Sequence, residues 1–123
     1  MRATTIVGIA AALLGGALVA TGQEPILRVT LLGTDGPEPV MNRFGPSILV
    51  EAGDEKLLFD AGRGALQRLQ QVKVHCQDVQ GVFLTHLHSD HVVGLPDLWL
   101  TGWLVRPGRD VPLTCGGPGA PRG

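Results

Sequence analysis

Apolar residues alternate with polar ones, or run without interruption, in five short stretches of the chain. Such patterns are typical of strands buried on one or both faces of a sheet. The predicted strands are residues 26–32, 47–52, 55–59, 82–85 and 111–114. Gly53 and Asp54 separate the second stretch from the third, and this pair favours a tight turn. The pattern therefore predicts a sheet that contains a hairpin.

Two further stretches carry apolar residues at helical spacing. In residues 65–71, Leu66 and Leu69 are three positions apart and lie on one helix face. Residues 95–105 are apolar at positions 95, 98, 99, 103 and 104, and Pro96 suits the first turn of a helix. Strands come first, and strands then alternate with helices, so the order of elements predicts an α/β or α+β layer.

The composition fits one folded domain with a loop-built site. The chain has 123 residues, 44% of them hydrophobic, and contains 18 glycines and nine prolines. Glycine and proline concentrate in loops such as residues 33–46 and in the tail 116–123. This distribution is more typical of loops on a rigid sheet than of a disordered chain.

The first 22 residues have the features of a secretory signal peptide. Arg2 supplies a positive charge, residues 6–19 are apolar, and small residues occupy positions 20–22. The apolar stretch is short for a membrane span, although an uncleaved anchor or a misplaced start codon would look similar. We expect residues 1–22 to be a signal peptide, residues 23–123 to be a domain without a stable membrane span, and the protein to be secreted or periplasmic.

Charge and aromatic content bear on the partners of the chain. Ten basic and eleven acidic residues give a net charge of −1, and there is no block of Lys and Arg. Tyrosine is absent from the sequence, which leaves little scope for stacking on bases. These features argue against a nucleic-acid partner and leave an oligomer open.

Cys76 and Cys115 are the two cysteines of the chain. In an exported protein they could form a disulfide. Two separate thiols are at least as good an interpretation, because the sequence does not show whether the two Cα atoms come within bridging distance.

Four potential metal ligands follow the apolar run at residues 81–85. They are His86, His88, Asp90 and His91, and they include three of the four histidines of the chain. His86 and His88 lie on the same side of an extended segment, because side chains alternate with a period of two. The chain must then turn to bring Asp90 and His91 to a neighbouring position. Imidazole nitrogen and carboxylate oxygen suit zinc and similar divalent metals.

The run Thr85-His86-Leu87-His88-Ser89-Asp90-His91 matches the signature Thr-His-x-His-x-Asp-His and resembles the metallo-β-lactamase superfamily. Leu32-Gly33-Thr34-Asp35-Gly36-Pro37 and Leu58-Phe59-Asp60-Ala61-Gly62-Arg63-Gly64 are similar to the branch that holds ribonuclease Z and the zinc-dependent arylsulfatases. The family fold is a four-layer αββα sandwich of two similar halves. By its length, the chain resembles only the N-terminal half of that sandwich.

The resemblance implies a site with two metal ions, most often zinc. His86 and His88 would bind the first ion, and Asp90 and His91 would bind the second. Further ligands would come from the C-terminal half. Such a site hydrolyses an ester of an oxyanion, a sulfate ester or a phosphodiester, through a metal-bound hydroxide that Asp90 could orient as the catalytic residue. We therefore expect a small-molecule anionic ester as the substrate.

Two residues could support the ligands without touching the metal. Asp60 ends an apolar strand, where an unpaired carboxylate is costly to bury, and it could accept the free N–H of a ligating histidine. A cap or turn residue for the next helix is an equally good interpretation of Asp60. Thr85 could orient residues 86–91, the metal loop, or be a plain strand residue. Arg43 and Arg63 are candidates for binding an anionic group, or are solvated charges.

Two alternatives to an ester hydrolase of this kind stay open. A ribonuclease Z-like tRNA 3′-processing endonuclease fits the upstream motifs, but the signal peptide and the missing basic patch argue against it. The other alternative is an inactive, truncated remnant that binds metal weakly, because the C-terminal ligands are absent.

Overall fold

The computed structural model describes residues 27–119. The predicted signal peptide at residues 1–22, the first residue of the predicted strand 26–32 and the end of the glycine- and proline-rich tail lie outside this range. Along the described chain, no helix is long and apolar enough to cross a lipid bilayer.

Five strands form one mixed sheet, with spatial order the same as chain order. They are β1 (Leu27–Gly33), β2 (Ser47–Ala52), β3 (Glu55–Phe59), β4 (Gly81–Phe83) and β5 (Thr114–Gly116). Strands β1, β2 and β3 pair antiparallel, whereas β4 and β5 continue the sheet in parallel. The parallel pairs need crossover connections, which helices provide. The predicted α/β (α+β) class is confirmed.

The helices are α1 (Ala65–Gln71), a 3₁₀ turn at Cys76–Asp78, α2 (Ser89–Val92) and α3 (Leu95–Leu104). The bounds of β2, β3 and α1 are those that the sequence predicts. The 3₁₀ turn and α2 were not predicted, because each is too short to show helical periodicity.

Two predicted strands are displaced along the chain. The strand predicted at 82–85 ends at Phe83, because the backbone N–H of Thr85 leaves the sheet and donates to the side chain of Asp60. The strand predicted at 111–114 begins only at Thr114, since Pro112 cannot donate to a ladder. The first backbone hydrogen bond that attaches β5 to the sheet is from the N–H of Thr114 to the carbonyl of Gln80.

The core lies between one face of the sheet and the helices. Leu49, Leu58 and Val82 are aligned across β2, β3 and β4 and are fully buried. Leu69 of α1 and Leu98 of α3 belong to the same buried cluster. Successive side chains along these strands therefore point alternately into this core and to the opposite face, as expected for a sheet that is covered on one face.

The other face of the sheet is also apolar but is not covered within residues 27–119. On β1, Leu27, Val29 and Leu31 are 59%, 57% and 64% exposed. Apolar residues of the inner strands continue the same face. They are Ile48, Val50, Leu57, Phe59 and Phe83. We call these eight side chains the open sheet face.

Both cysteines are free in the structure. Cys76 is buried in the core, whereas Cys115 is exposed on β5. Of the two interpretations of the cysteine pair, the structure has separate thiols.

Candidate metal centre

The metal loop starts where β3 and β4 end side by side. Asp60 follows β3 with a φ of 62°, a left-handed conformation that Asp adopts more readily than most residues. Its backbone N–H donates to the carbonyl of Phe83 at 2.9 Å. Its carboxylate Oδ1 accepts the N–H of Thr85 at 2.8 Å. These bonds turn the chain out of the sheet one residue before the first histidine.

Three imidazoles then come together. The distance from His86 Nε2 to His88 Nδ1 is 3.2 Å, and the ring centroids of His86 and His91 are 3.9 Å apart. The single turn of α2 produces this proximity, because the N–H of His91 donates to the carbonyl of His88 at 3.0 Å. The structure thus brings together the histidines that the sequence predicts as a cluster.

Asp90 lies beside His91 at the edge of the same cluster. Its Oδ2 is 3.7 Å from His91 Nε2, and the side chains of Asp90 and His91 are 11% and 17% exposed. The predicted second pair is therefore adjacent in space. The role of all four residues as metal ligands stays a prediction.

The Asp60 carboxylate is the hub of the hydrogen bonds below the cluster. It is 6% exposed, and its Oδ2 lies 2.8 Å from His91 Nδ1 and 2.8 Å from the Thr85 hydroxyl. Burial alone would raise the pKa of Asp60, but the bonds from the Thr85 N–H, His91 and the Thr85 hydroxyl outweigh burial and lower this pKa. Asp60 is therefore an ionised acceptor. The alternative of a helix cap is not observed, because Gly64 occupies the N-cap of α1 and no side chain caps it.

These bonds determine which ring nitrogens are free to bind a metal. With its N–H at Nδ1 directed to Asp60, His91 keeps a lone pair at Nε2. The Thr85 hydroxyl gives its one hydrogen to Asp60, so its oxygen accepts the N–H of His86 Nδ1 at 3.0 Å. His86 therefore also keeps a lone pair at Nε2, facing His88.

The donor types suit divalent metal ions, and the four residues lie in two pairs. Two nitrogens bound to one tetrahedral zinc lie about 3.3 Å apart, since each bond is about 2.0–2.1 Å long. The 3.2 Å between His86 Nε2 and His88 Nδ1 agrees with that spacing. Nowhere in residues 27–119 do three or more His, Cys, Asp or Glu side chains converge on one point. The His86–His88 pair therefore fits part of a coordination sphere, whereas Asp90 Oδ2 and His91 Nε2, at 3.7 Å, are more widely spaced.

Other candidate residues do not join the cluster. Arg43 makes a surface ion pair with Asp35 at 3.4 Å and is 61% exposed. Arg63 is exposed, and its carbonyl accepts the N–H of Gly45 at 2.9 Å.

Sequence reasoning missed the backbone that supports α2. The N–H of Ala61 donates to the carbonyl of His91, and the N–H of Gly94 donates to the carbonyl of Ala61, each at 2.8 Å. The types of these side chains carry no signal of the contact. Only the glycines beside Ala61 and at position 94 indicate that backbones approach closely here.

Solved structures place this fold among known proteins. The metallo-β-lactamase fold protein YhfI from Bacillus subtilis matches with a TM-score of 0.64 and 28% identity, over 74% of this chain and 36% of that one. The short form of human tRNase Z matches with a TM-score of 0.59 and 36% identity, over 62% of this chain and 29% of that one. The fold and the site together define a chain of the metallo-β-lactamase superfamily that spans part of the length of the proteins it matches.

Curated relatives and a family match narrow the class. Ribonuclease Z of Mycobacterium bovis is 47% identical over 94 residues, which cover 76% of this chain and 34% of that relative. The chain thus spans about a third of the length of the curated relatives it matches. The family described as "Anti-Pycsar protein Apyc1" matches residues 27–112, and the chain belongs to that family.

The expectation of a small-molecule ester, with nucleic acid argued against, is wrong. Relatives named ribonuclease Z and a structure of human tRNase Z overturn it, because those names specify an RNA substrate. The balanced charge describes only the third of such a protein that this chain spans. It could not exclude phosphate-binding residues elsewhere.

Proposed function

We propose that the chain carries the metal-binding part of a hydrolase that cleaves phosphodiester bonds in RNA. The observation that carries this proposal is the cluster of three imidazoles, with His91 oriented by a buried carboxylate. The 47% identity to a ribonuclease Z supports RNA as the substrate class. The arylsulfatase-like alternative stays an unconfirmed prediction.

The cofactor we propose is zinc, two ions in a complete site. Metallo-β-lactamase fold proteins of the kind found among the neighbours are typically metal-dependent. A divalent ion, when bound, supplies a hydroxide at neutral pH and neutralises charge on phosphate oxygens. His86 and His88 would hold one ion, and Asp90 and His91 the other.

The residues of this chain contribute positioning and proton chemistry. Asp60 holds the proton of His91 at Nδ1, so that Nε2 stays available. Thr85 does the same for His86 through its hydroxyl oxygen. The catalytic residue we propose is Asp90, whose carboxylate lies 3.7 Å from His91 Nε2 at the edge of the cluster and would accept a proton from an attacking water.

The second candidate is a chain that binds metal weakly and does not catalyse. The arrangement of donors in two pairs favours it, because a catalytic zinc normally has three protein ligands. The two candidates differ in turnover and share the metal-binding residues.

The test compares His86→Ala with His75→Ala. His75 precedes the 3₁₀ turn and contributes nothing to the cluster, so it is the matched control. Zinc content, zinc affinity and cleavage of a short RNA with a 3′ trailer would be measured. The proposal is supported if RNA cleavage falls at least about a hundredfold in His86→Ala and not in His75→Ala. Loss of a residue that only hydrogen-bonds to a metal ligand already lowers activity about 10–100-fold, so loss of a ligand should lower it at least as much. Zinc binding without RNA cleavage in the parent would favour the weak binder, and equal behaviour of both variants would refute the site.

We also propose that residues 1–22 direct export, on the charge and apolar pattern of that segment. Cell fractionation of the full chain and of a chain without residues 1–22 tests this. Both chains in the cytoplasm would contradict export. If the chain is exported, the RNA that it cleaves has to lie outside the cytoplasm.

A further inference from the structure

Three glycines meet directly beneath the Asp90–His91 turn. A Cβ added to Gly62 would lie 2.6 Å from the carbonyl oxygen of Asp90 and 2.5 Å from the carbonyl carbon of Gly45. A Cβ on Gly94 would lie 2.3 Å from the carbonyl oxygen of Gly62. These neighbours are backbone atoms, which cannot move away by changing a rotamer.

Glycine is needed at these three positions because backbone segments approach closely, and not because the backbone adopts an unusual conformation. The glycines with positive φ in the described chain are Gly53, Gly64, Gly108 and Gly119. Gly45, Gly62 and Gly94 are absent from that set, so alanine would be compatible with their φ angles. The missing side chain is what allows three backbone segments to pack together.

Hydrogen bonds join the same three segments. The N–H of Gly62 donates to the carbonyl of Pro46, and the N–H of Gly45 donates to the carbonyl of Arg63, each at 2.9 Å. The N–H of Ala61 reaches the carbonyl of His91 at 2.8 Å. Residues 60–63 are thus hydrogen-bonded to Gly45 and Pro46 on one side and to His91 of α2 on the other.

We propose that Gly45, Gly62 and Gly94 are positioning residues that set the place of the Asp90–His91 turn relative to the Asp60 carboxylate. The inference rests on the proposed metal-dependent function. To restore an ordinary contact of 3.4 Å to a Cβ at position 62, the Asp90 carbonyl and the residue 62 backbone have to separate by about 0.8 Å. A constellation of this kind tolerates only about 0.5 Å. The 2.8 Å contact between His91 Nδ1 and Asp60 Oδ2 would therefore be lost.

The experiment uses the full chain with Gly62→Ala and Gly94→Ala. Gly36→Ala is the matched control, because a Cβ there meets nothing within 4 Å and its φ is not positive. Leu69→Ala is the control for stability, since Leu69 lies on α1 and its side chain is fully buried in the hydrophobic core. The readouts are the ¹⁵N shifts of the His91 ring without metal, and the affinity and absorption spectrum with Co²⁺.

In the parent and in Gly36→Ala, we expect the ¹⁵N shifts of a His91 ring protonated at Nδ1. Gly62→Ala and Gly94→Ala should show mixed tautomers and a Co²⁺ affinity lower by about tenfold or more. Leu69→Ala should lower the melting temperature and keep the His91 signature in its folded fraction.

Unchanged His91 shifts in Gly62→Ala and Gly94→Ala would overturn the inference. So would an equal loss of the signature in Leu69→Ala. If Gly62→Ala does not fold, Gly94→Ala decides. If neither folds, the contacts serve the whole domain and the inference fails. A parent that binds no Co²⁺ would refute the proposed function alone, because the metal-free ¹⁵N readout still decides the inference.

Discussion

At the scale of single residues, the site depends on one buried carboxylate that serves three partners. Asp60 accepts hydrogen bonds from the backbone and hydroxyl of Thr85 and from the ring of His91. Because the carboxylate is almost fully buried, every one of these bonds lies in an environment where an unpaired polar group is costly. Changes to Asp60 or Thr85 should therefore affect the histidines more than the sheet.

Asp60→Asn should weaken metal binding. An amide can still accept a hydrogen bond from His91, but it lacks the charge that fixes the tautomer, so we expect zinc affinity to fall about 10–100-fold. Isothermal titration calorimetry checks this. Asp54→Asn, in the exposed turn between β2 and β3, is the control and should leave the affinity unchanged. Equal affinities of Asp60→Asn and the parent would contradict the hub role.

Thr85→Val removes a hydroxyl that connects Asp60 to His86. The lost bond to a charged acceptor should cost about 1.5–3 kcal/mol of unfolding free energy. Thr85→Ser keeps the hydroxyl and should restore most of the stability and the metal affinity. Urea denaturation and zinc titration of the two variants measure the effect. If serine fails to rescue, the methyl group of Thr85 matters and not the hydroxyl.

At the scale of elements, the connection between α3 and β5 depends on Arg109. This guanidinium is 4% exposed and donates to the carbonyls of Cys76 and Val79, at the turn that leads into β4. Gly102 of α3 lies against it, since a Cβ there would meet the guanidinium at 2.8 Å. One side chain thus joins the 3₁₀ turn to the end of α3.

Arg109→Met should destabilise the domain, because the buried carbonyls of the turn lose their donors. We expect a loss of about 3 kcal/mol, the order found when one partner of a buried charged interaction is removed. Arg106→Met, at an exposed position three residues earlier, is the control. Chemical denaturation that gives the same midpoint for both variants would contradict this role.

Elements with a clear period were predictable, and elements set by a single contact were not. The apolar runs in 47–52 and 55–59, separated by Gly53 and Asp54, predict a hairpin, and its bounds agree with β2 and β3. The end of β4 depends on a bond from Thr85 to Asp60, 25 residues away, which no local pattern contains. The cluster of histidines was predictable from spacing, but the support from Ala61 and Gly94 was not, because only glycines mark such backbone contacts and glycines also serve ordinary turns.

At the scale of the whole molecule, the described chain is one layer of helices on one sheet. Apolar side chains of β1, β2, β3 and β4 form the open sheet face described above. Phe59 and Phe83 pack together on it with ring centroids 5.6 Å apart. A contiguous apolar surface of this size favours association.

Val29→Glu should reduce self-association of the chain. Val29 lies on the open sheet face and is 57% exposed, so a charge there opposes burial without loss of core contacts. Met41→Glu, at a loop residue that is 83% exposed, is the control. Sedimentation velocity should show a smaller average mass for Val29→Glu only. A monomeric parent would contradict the prediction.

The central position of β3 has a consequence for the time course of folding. Its pairing with β2 closes only a two-residue turn, whereas its parallel pairing with β4 must wait for α1 and the 3₁₀ turn to bring distant segments together. We expect amides of the β2–β3 hairpin to become protected first in pulsed hydrogen exchange, and those of Thr85 and His91 last. Protection of Thr85 before the hairpin would contradict this order. A metal ion would then meet its ligands only after the sheet exists, so it would act on the unfolding rate and not on the first steps of folding.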